Sequence, residues 1–194
     1  GYGALGANTT AHNNTAFGHA ALNANTTGTS NVGIGASALK SNTTANENTA
    51  VGYYALYTNT TGAANVAVGS GSLEKNTTGG SNVSVGRNSM RENTTGNYCT
   101  ALGFGALNGN TTGFDNTGLG YYALVACTTG SGNVGIGNSA LDSITNHTDN
   151  TAVGYLALAT ATASKNTAVG SKALTATTTG DNNVAVGRDA LIAN

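Results

Sequence analysis

Twelve glycines, Gly1, Gly18, Gly35, Gly52, Gly69, Gly86, Gly103, Gly120, Gly137, Gly154, Gly170 and Gly187, recur every 17 residues with a single step of 16. A period of that size marks one coil of a solenoid, a unit that cannot bury its apolar face alone and must stack on its neighbours. Aligned on those glycines, the chain reads G-x-x-A-L-x-x-N-T-T-G-x-x-N-[TV]-A-[VIL]. Counting from the glycine, the fifth position is Leu in eleven coils and Met90 in the twelfth. The fourteenth is Asn in ten coils (Asn14, Asn31, Asn48, Asn65, Asn82, Asn116, Asn133, Asn150, Asn166 and Asn183) and Cys99 in the remaining one. A repeat this regular specifies a shape before it specifies any chemistry.

The unit does not suit a helix. Glycine accounts for 29 of 194 residues, Thr, Asn and Val are abundant, and no 3.6-residue periodicity runs through the repeat. Segments such as Asn65-Val66-Ala67-Val68-Gly69 alternate large and small residues with period two, as a strand does. A second short strand is expected at Ala-Leu, as in Ala55-Leu56. Gly at the first position and Asn-Thr-Thr-Gly at the eighth to eleventh read as turns, because Gly and Asn tolerate positive φ. Two strands and two turns make one flattened coil of an all-β, parallel β-solenoid. Like residues then stack about 4.8 Å apart, and eleven periods reach about 50 Å. Buried Asn ladders from coil to coil account for the recurrence of Asn at two positions. The chain has no proline, which would delete a ladder bond. Residues 1–194 read as a single repeat domain of about eleven coils, expected to be an excerpt of a longer fibre protein. Leu141 to Asn150 spans nine residues where Leu158 to Asn166 spans eight, which makes that segment the loop and the Gly-Ala-Leu and Asn-Thr-Ala-Val blocks the framework.

The charges respect this register. Lys40, Glu74, Lys75, Arg91, Glu92 and Asp142 follow the Leu; Glu47, Asp115, Asp149, Lys165 and Asp181 precede the second Asn; Arg87, Lys172, Arg188 and Asp189 follow the Gly. Those stretches must face water. The strand carries large residues on one face (Val66, Val68; Val134, Ile136; Val184, Val186) and Ala67, Gly135 and Ala185 on the other, with no charge on either. A narrow coil encloses one face only, so the other is expected to pack on another chain, most economically as a homotrimer about the rod axis. The residue after the glycine is often aromatic: Tyr2, Tyr53, Phe104, Tyr121 and Tyr155, with Tyr54 and Tyr122 next to two of them. Such rings suit contact with a host-surface glycan or protein receptor; shielding of neighbouring coils or of an interchain gap is the other reading.

Asn48-Thr49-Ala50-Val51-Gly52, Asn65-Val66-Ala67-Val68-Gly69 and Asn183-Val184-Ala185-Val186-Gly187, each followed by x-x-[AS]-L, resemble the head repeats of YadA-type trimeric autotransporter adhesins and related repeats of bacterial and phage tail-fibre proteins. The unit here is longer by its Asn-Thr-Thr-Gly turn. The resemblance covers essentially the whole chain. It implies a left-handed β-roll, three chains about one axis, and attachment at a cell or virion surface, hence an extracellular location.

Other chemistry finds little support. Only 8% of residues are charged and the net charge is −1, a poor basis for capturing nucleic acid or an anionic membrane. The apolar stretches are too short to span a bilayer. His12, His19 and His147 sit at different positions of distant coils, so no triad assembles on one chain, and no repeated acidic pair suggests a glycosidase. No enzyme activity, metal or cofactor is expected. Cys99 and Cys127 each replace a repeat Asn at different positions and read as substituted turn residues, with a disulfide as the other option. Asn8, Asn25, Asn42, Asn59, Asn76, Asn93 and Asn110 open Asn-Thr-Thr sequons, explained already by turn geometry. The alternatives to an adhesive fibre segment are a passive scaffold with recognition elsewhere and an ice-binding solenoid using its Thr ladders. Adjacent threonines, however, point to opposite sides of a strand.

Overall fold

A computed structural model of the chain describes residues 1–176 and 179–192. Each coil contributes one three-residue strand: β1 (Thr15–Phe17), β2 (Val32–Ile34), β3 (Thr49–Val51), β4 (Val66–Val68), β5 (Val83–Val85), β6 (Thr100–Leu102), β7 (Thr117–Leu119), β8 (Val134–Ile136), β9 (Thr151–Val153), β10 (Thr167–Val169) and β11 (Val184–Val186). The eleven strands form a single parallel sheet in chain order. Equivalent residues face each other throughout, as Thr49, Ala50 and Val51 face Val66, Ala67 and Val68. The molecule is an all-β parallel β-solenoid with coils of about 17 residues, and no helix occurs among the described residues.

The small face of each strand points inward. Ala50, Ala67, Ala101, Ala152 and Ala168 are fully buried, packed in one continuous core with the Ala-Leu pairs of each coil. The interior is narrow because the Leu side chain already fills it: a Cβ added at Gly118 would lie 3.1 Å from Leu107 Cγ. Val, Ile, Leu and Phe at the two ends of each strand therefore point outward and remain half-buried or exposed.

The second strand expected at Ala-Leu does not form. Leu22, Leu39, Leu56, Leu73 and their equivalents have φ near 50°, the left-handed region that a side chain adopts at a cost on the order of 1 kcal/mol. Two observations explain why the strain persists. The side chains from Leu22 to Leu174, Met90 included, are fully buried, each stabilising the coil by about 1.5–3 kcal/mol. The Leu amide also donates to the next coil, as Leu56 N–H does to the Ser72 carbonyl at 3.0 Å. The third position is left-handed as well (Ala20, Ser37, Tyr54), and the amide of the fourth bonds back to the first, Ala55 N to Gly52 O at 3.3 Å. This segment is a stack of tight turns laddered between coils. Positive φ falls at the first-position Gly, as expected, and at the third, fifth and thirteenth positions, so the Asn and Gly of Asn-Thr-Thr-Gly are not there for it. The eleventh-position Gly serves close approach instead, since a Cβ at Gly79 would meet the Gly96 carbonyl oxygen and Asn76 Oδ1 well inside contact distance.

Asparagines line the two bends. At the fourteenth position, each Oδ1 accepts the backbone N–H of its counterpart one coil on, as Asn48 accepts from Asn65 at 3.0 Å. Its Nδ2 donates to the eleventh-position carbonyl of that next coil, Asn48 to Gly62 at 2.9 Å. At the eighth position, Asn76 Nδ2 donates both to Asn59 Oδ1 at 2.8 Å and to the Gly79 carbonyl at 2.9 Å, and Asn76 Oδ1 accepts from Asn93 at 2.8 Å. This second ladder runs from Asn8 to Asn110 and then stops at Cys127, leaving Asn110 Oδ1 buried without a partner. Asn76→Ala should therefore strand Asn59 Oδ1 and one N–H of Asn93, costing about 2–4 kcal/mol. Asn110→Ala only moves the orphaned oxygen back to Asn93 and should cost about half as much. Urea denaturation of the two variants checks the difference.

One coil is a residue shorter. Ala161 N bonds Leu158 O at 3.3 Å and the Ala163 carbonyl accepts Asn150 Nδ2 at 2.9 Å, so the missing residue is one of the paired threonines. Strand pairing continues across it without a slip, Thr151 opposite Thr167. The turn absorbs the deletion and the framework does not.

Candidate functional site

The second, third and sixth positions of the repeat form one surface of the rod, because the turn stack sets them side by side. Tyr2, Tyr53, Tyr121 and Tyr155 are exposed there, while Phe104, Tyr54 and Tyr122 are half-buried. They do not make a continuous row, since Ala36, Ser70, Asn138 and Ser171 interrupt it. Instead the rings gather into clusters. Phe104 stacks on Tyr121 (centroids 5.6 Å apart), and Tyr122 meets both edge-on at 5.4 and 4.4 Å. Tyr53, Tyr54 and Tyr57 form a second cluster with edge contacts of 4.1 and 4.5 Å, and Lys40 Nζ stands 5.5 Å from the Tyr57 ring. A hydrogen bond with Tyr54 holds the Tyr53 phenol above its ordinary pKa. Tyr57 was not among the sequence-derived candidates. Its signal is the spacing of three from Tyr54, which brings two side chains together on a turn but not on an extended strand.

Between Tyr53 and the next charged coil the surface falls away. A groove of about 350 Å³ is lined by Tyr53, Tyr54, Ser70, Gly71, Glu74, Arg87, Asn88 and Arg91. Glu74 Oε2 accepts from Arg91 Nε at 2.7 Å, and one coil spacing likewise joins Lys75 to Glu92 at 2.5 Å. The Glu74 carboxylate raises the Arg91 pKa further. The Arg87 guanidinium lies 5.9 Å over the Phe104 ring and has no ion-pair partner among the described residues.

The Thr ladders are partly occupied in holding the backbone. At the ninth position the hydroxyls from Thr9 to Thr128 donate to the carbonyl of the next coil's Thr, as Thr77 does to Thr94 at 3.0 Å, while the tenth-position Thr is exposed. One free column remains where a flat array needs two. The sequon asparagines from Asn25 to Asn110 are fully buried, and Nδ2 spends its hydrogens on ladder bonds, so the folded coil has no room for a glycan there.

Both cysteines are free and buried. Cys99 stands in the fourteenth-position ladder, where burial pushes its thiol up to about 11. Cys127 ends the eighth-position ladder, and burial pushes its thiol up to about 12. Both stay protonated and poorly nucleophilic at neutral pH. Among the described residues no group of His, Cys, Asp and Glu could hold a metal ion, and no helix is long and apolar enough to cross a membrane. No family model, curated protein or solved structure matches this chain, so the reading of the surface rests on its geometry.

Proposed function

We propose that this chain is a rigid segment of a trimeric surface fibre, an adhesin head or tail-fibre shaft, working by multivalent attachment outside the cell or on a virion. The observation that carries the reading is the outward face of the eleven strands. Its seventeenth-position column runs Phe17, Ile34, Val51, Val68, Val85, Leu102, Leu119, Ile136, Val153, Val169 and Val186 with no polar residue, and the parallel column beside it holds only Val and Thr. Leu102 is half exposed and Phe17 more so. An uninterrupted apolar strip along a rod whose other faces carry polar and charged side chains is best satisfied by copies of itself arranged about the axis. Stacked ladders make the rod stiff, and three copies of the aromatic surface repeated along it turn weak contacts into avidity.

The decisive experiment is the solution mass of the chain by sedimentation equilibrium. A mass of three chains that persists on dilution is the expected result. A monomer at every accessible concentration removes the fibre reading and leaves a lone solenoid.

A further inference from the structure

The groove at Tyr53 exists because one coil carries no large side chain at two adjacent positions. In the coil between Tyr53-Tyr54 and Arg87-Asn88, the same two positions hold Ser70 and Gly71. A missing side chain alone does not open a groove. At Gly105, which also lacks one, the Tyr122 ring of the next coil leans across the glycine to within contact distance and fills the space. At Gly71 the neighbour is Asn88, whose amide oxygen comes to 2.7 Å from where a Cβ would sit and forms a polar floor. The space above it stays open.

The two walls stand two coil spacings apart, about 9.6 Å. A flat ring held in van der Waals contact on both faces needs about 7–8 Å, so the width suits one saccharide ring with its substituents. One wall is aromatic, Tyr53 backed by Tyr54. The other is cationic, Arg87 with Arg91, against the single carboxylate of Glu74, which Arg91 already occupies. Arg87 lies over the Phe104 ring and has no ion-pair partner among the described residues, so its guanidinium is available to a ligand. An aromatic wall takes the C–H face of a sugar, and a guanidinium takes a carboxylate through paired charge-assisted bonds.

We propose that the slot over Ser70 and Gly71 binds one carboxylated sugar residue of a glycan, its ring on Tyr53 and its carboxylate on Arg87. This deepens the adhesive reading and rests on it for its biological sense, although the slot itself lies within one chain. The choice between a sialic acid and a uronic acid is left to the experiment, because both present the same chemistry.

The test is titration of the full chain, followed by NMR, with the methyl glycosides of N-acetylneuraminic acid and of glucuronic acid, with methyl glucoside, and with acetate. Saturable binding of either acid with a Kd on the order of 1 mM, and binding of the neutral glucoside about tenfold weaker or worse, is expected. The acid that binds names the source of the ligand. Arg87→Ala should weaken the acid by about tenfold and leave the neutral sugar unchanged. Ser70→Tyr places in the gap the residue that Tyr53 already supplies one coil earlier; it should abolish binding with no change in Tm. Three results overturn the proposal: neither acid binds, acetate competes as well as the sugar acids, or Ser70→Tyr binds as the parent does. Sedimentation of the same samples separates the two readings. Binding by a monomer keeps the slot and removes the fibre, whereas a trimer that binds neither acid does the reverse.

Discussion

Gly69→Ala is expected to be among the most damaging single substitutions available to this chain, with a loss of about 4 kcal/mol or more. Two costs coincide at that residue. Its φ of 129° lies in a region that L side chains rarely adopt, and a Cβ there would sit 2.6 Å from the Gly86 carbonyl oxygen and 2.7 Å from its carbon. The obstruction is backbone, so no rotamer relieves it. Gly86 cannot retreat either, because it makes the same approach to Gly103. A shift at one coil would have to pass along the column. Gly71→Ala, two residues away in the same coil, is the internal control. There φ is 69°, the nearest atoms are the Asn88 and Glu74 side-chain oxygens, and the equivalent position elsewhere is filled by Ala20, Ser37 and Tyr54. That variant should lose about 1–2 kcal/mol, because the Asn88 amide can swing aside and only the cost of left-handed backbone remains. Thermal and urea melts of the pair, followed by far-ultraviolet circular dichroism, read the contrast. Equal losses would mean that close stacking of the glycine column is not what the 17-residue period protects.

The same contrast explains what could be read from the residues alone. The twelve glycines and the Asn positions are repeated constraints, and repetition exposes a constraint without a structure. The charged stretches marked the surface correctly for the same reason: among the described residues no charged side chain is buried. The turn at Ala-Leu was not legible. Leucine is a poor occupant of left-handed backbone, so local preference pointed to a strand at Ala55-Leu56. What overrides that preference is tertiary: complete burial of the side chain and an amide bond to the next coil, neither visible within one repeat. The strand's alternation revealed two faces, but only the Leu filling the interior decides that Ala67 points in and Val66 and Val68 point out. The slot was hidden more deeply. Ser70 and Gly71 look like ordinary variation at loose positions, and the opening depends on Asn88 failing to do what Tyr122 does over Gly105.

Replacing Val51 and Val85 together by Glu should abolish association and leave the single coil stack intact. Both side chains point away from the core and flank Val68 in the middle of the apolar column. On an isolated chain, a carboxylate at such a half-exposed position changes stability by about 0.5 kcal/mol. In a trimer closed on this face, six carboxylates would lose water near the axis with no cation among the strand residues to pair them, at several kcal/mol each. The expected outcome is a mass of one chain with the parent's circular dichroism. Replacing the same pair by Thr supplies the control, since Thr49, Thr100 and Thr117 occupy the adjacent column of the same face. That variant should remain associated, weakened but measurable. If the Glu variant still sediments as the parent does, the chains meet on another surface, and the aromatic side with its clusters at Tyr53 and Tyr121 becomes the next candidate for the seam. That outcome would also bury the slot in the assembly, so the two surfaces cannot both be interfaces and both be free. Because the strand face and the turn face are separate sides of one narrow coil, a charge placed on the first tests the availability of the second.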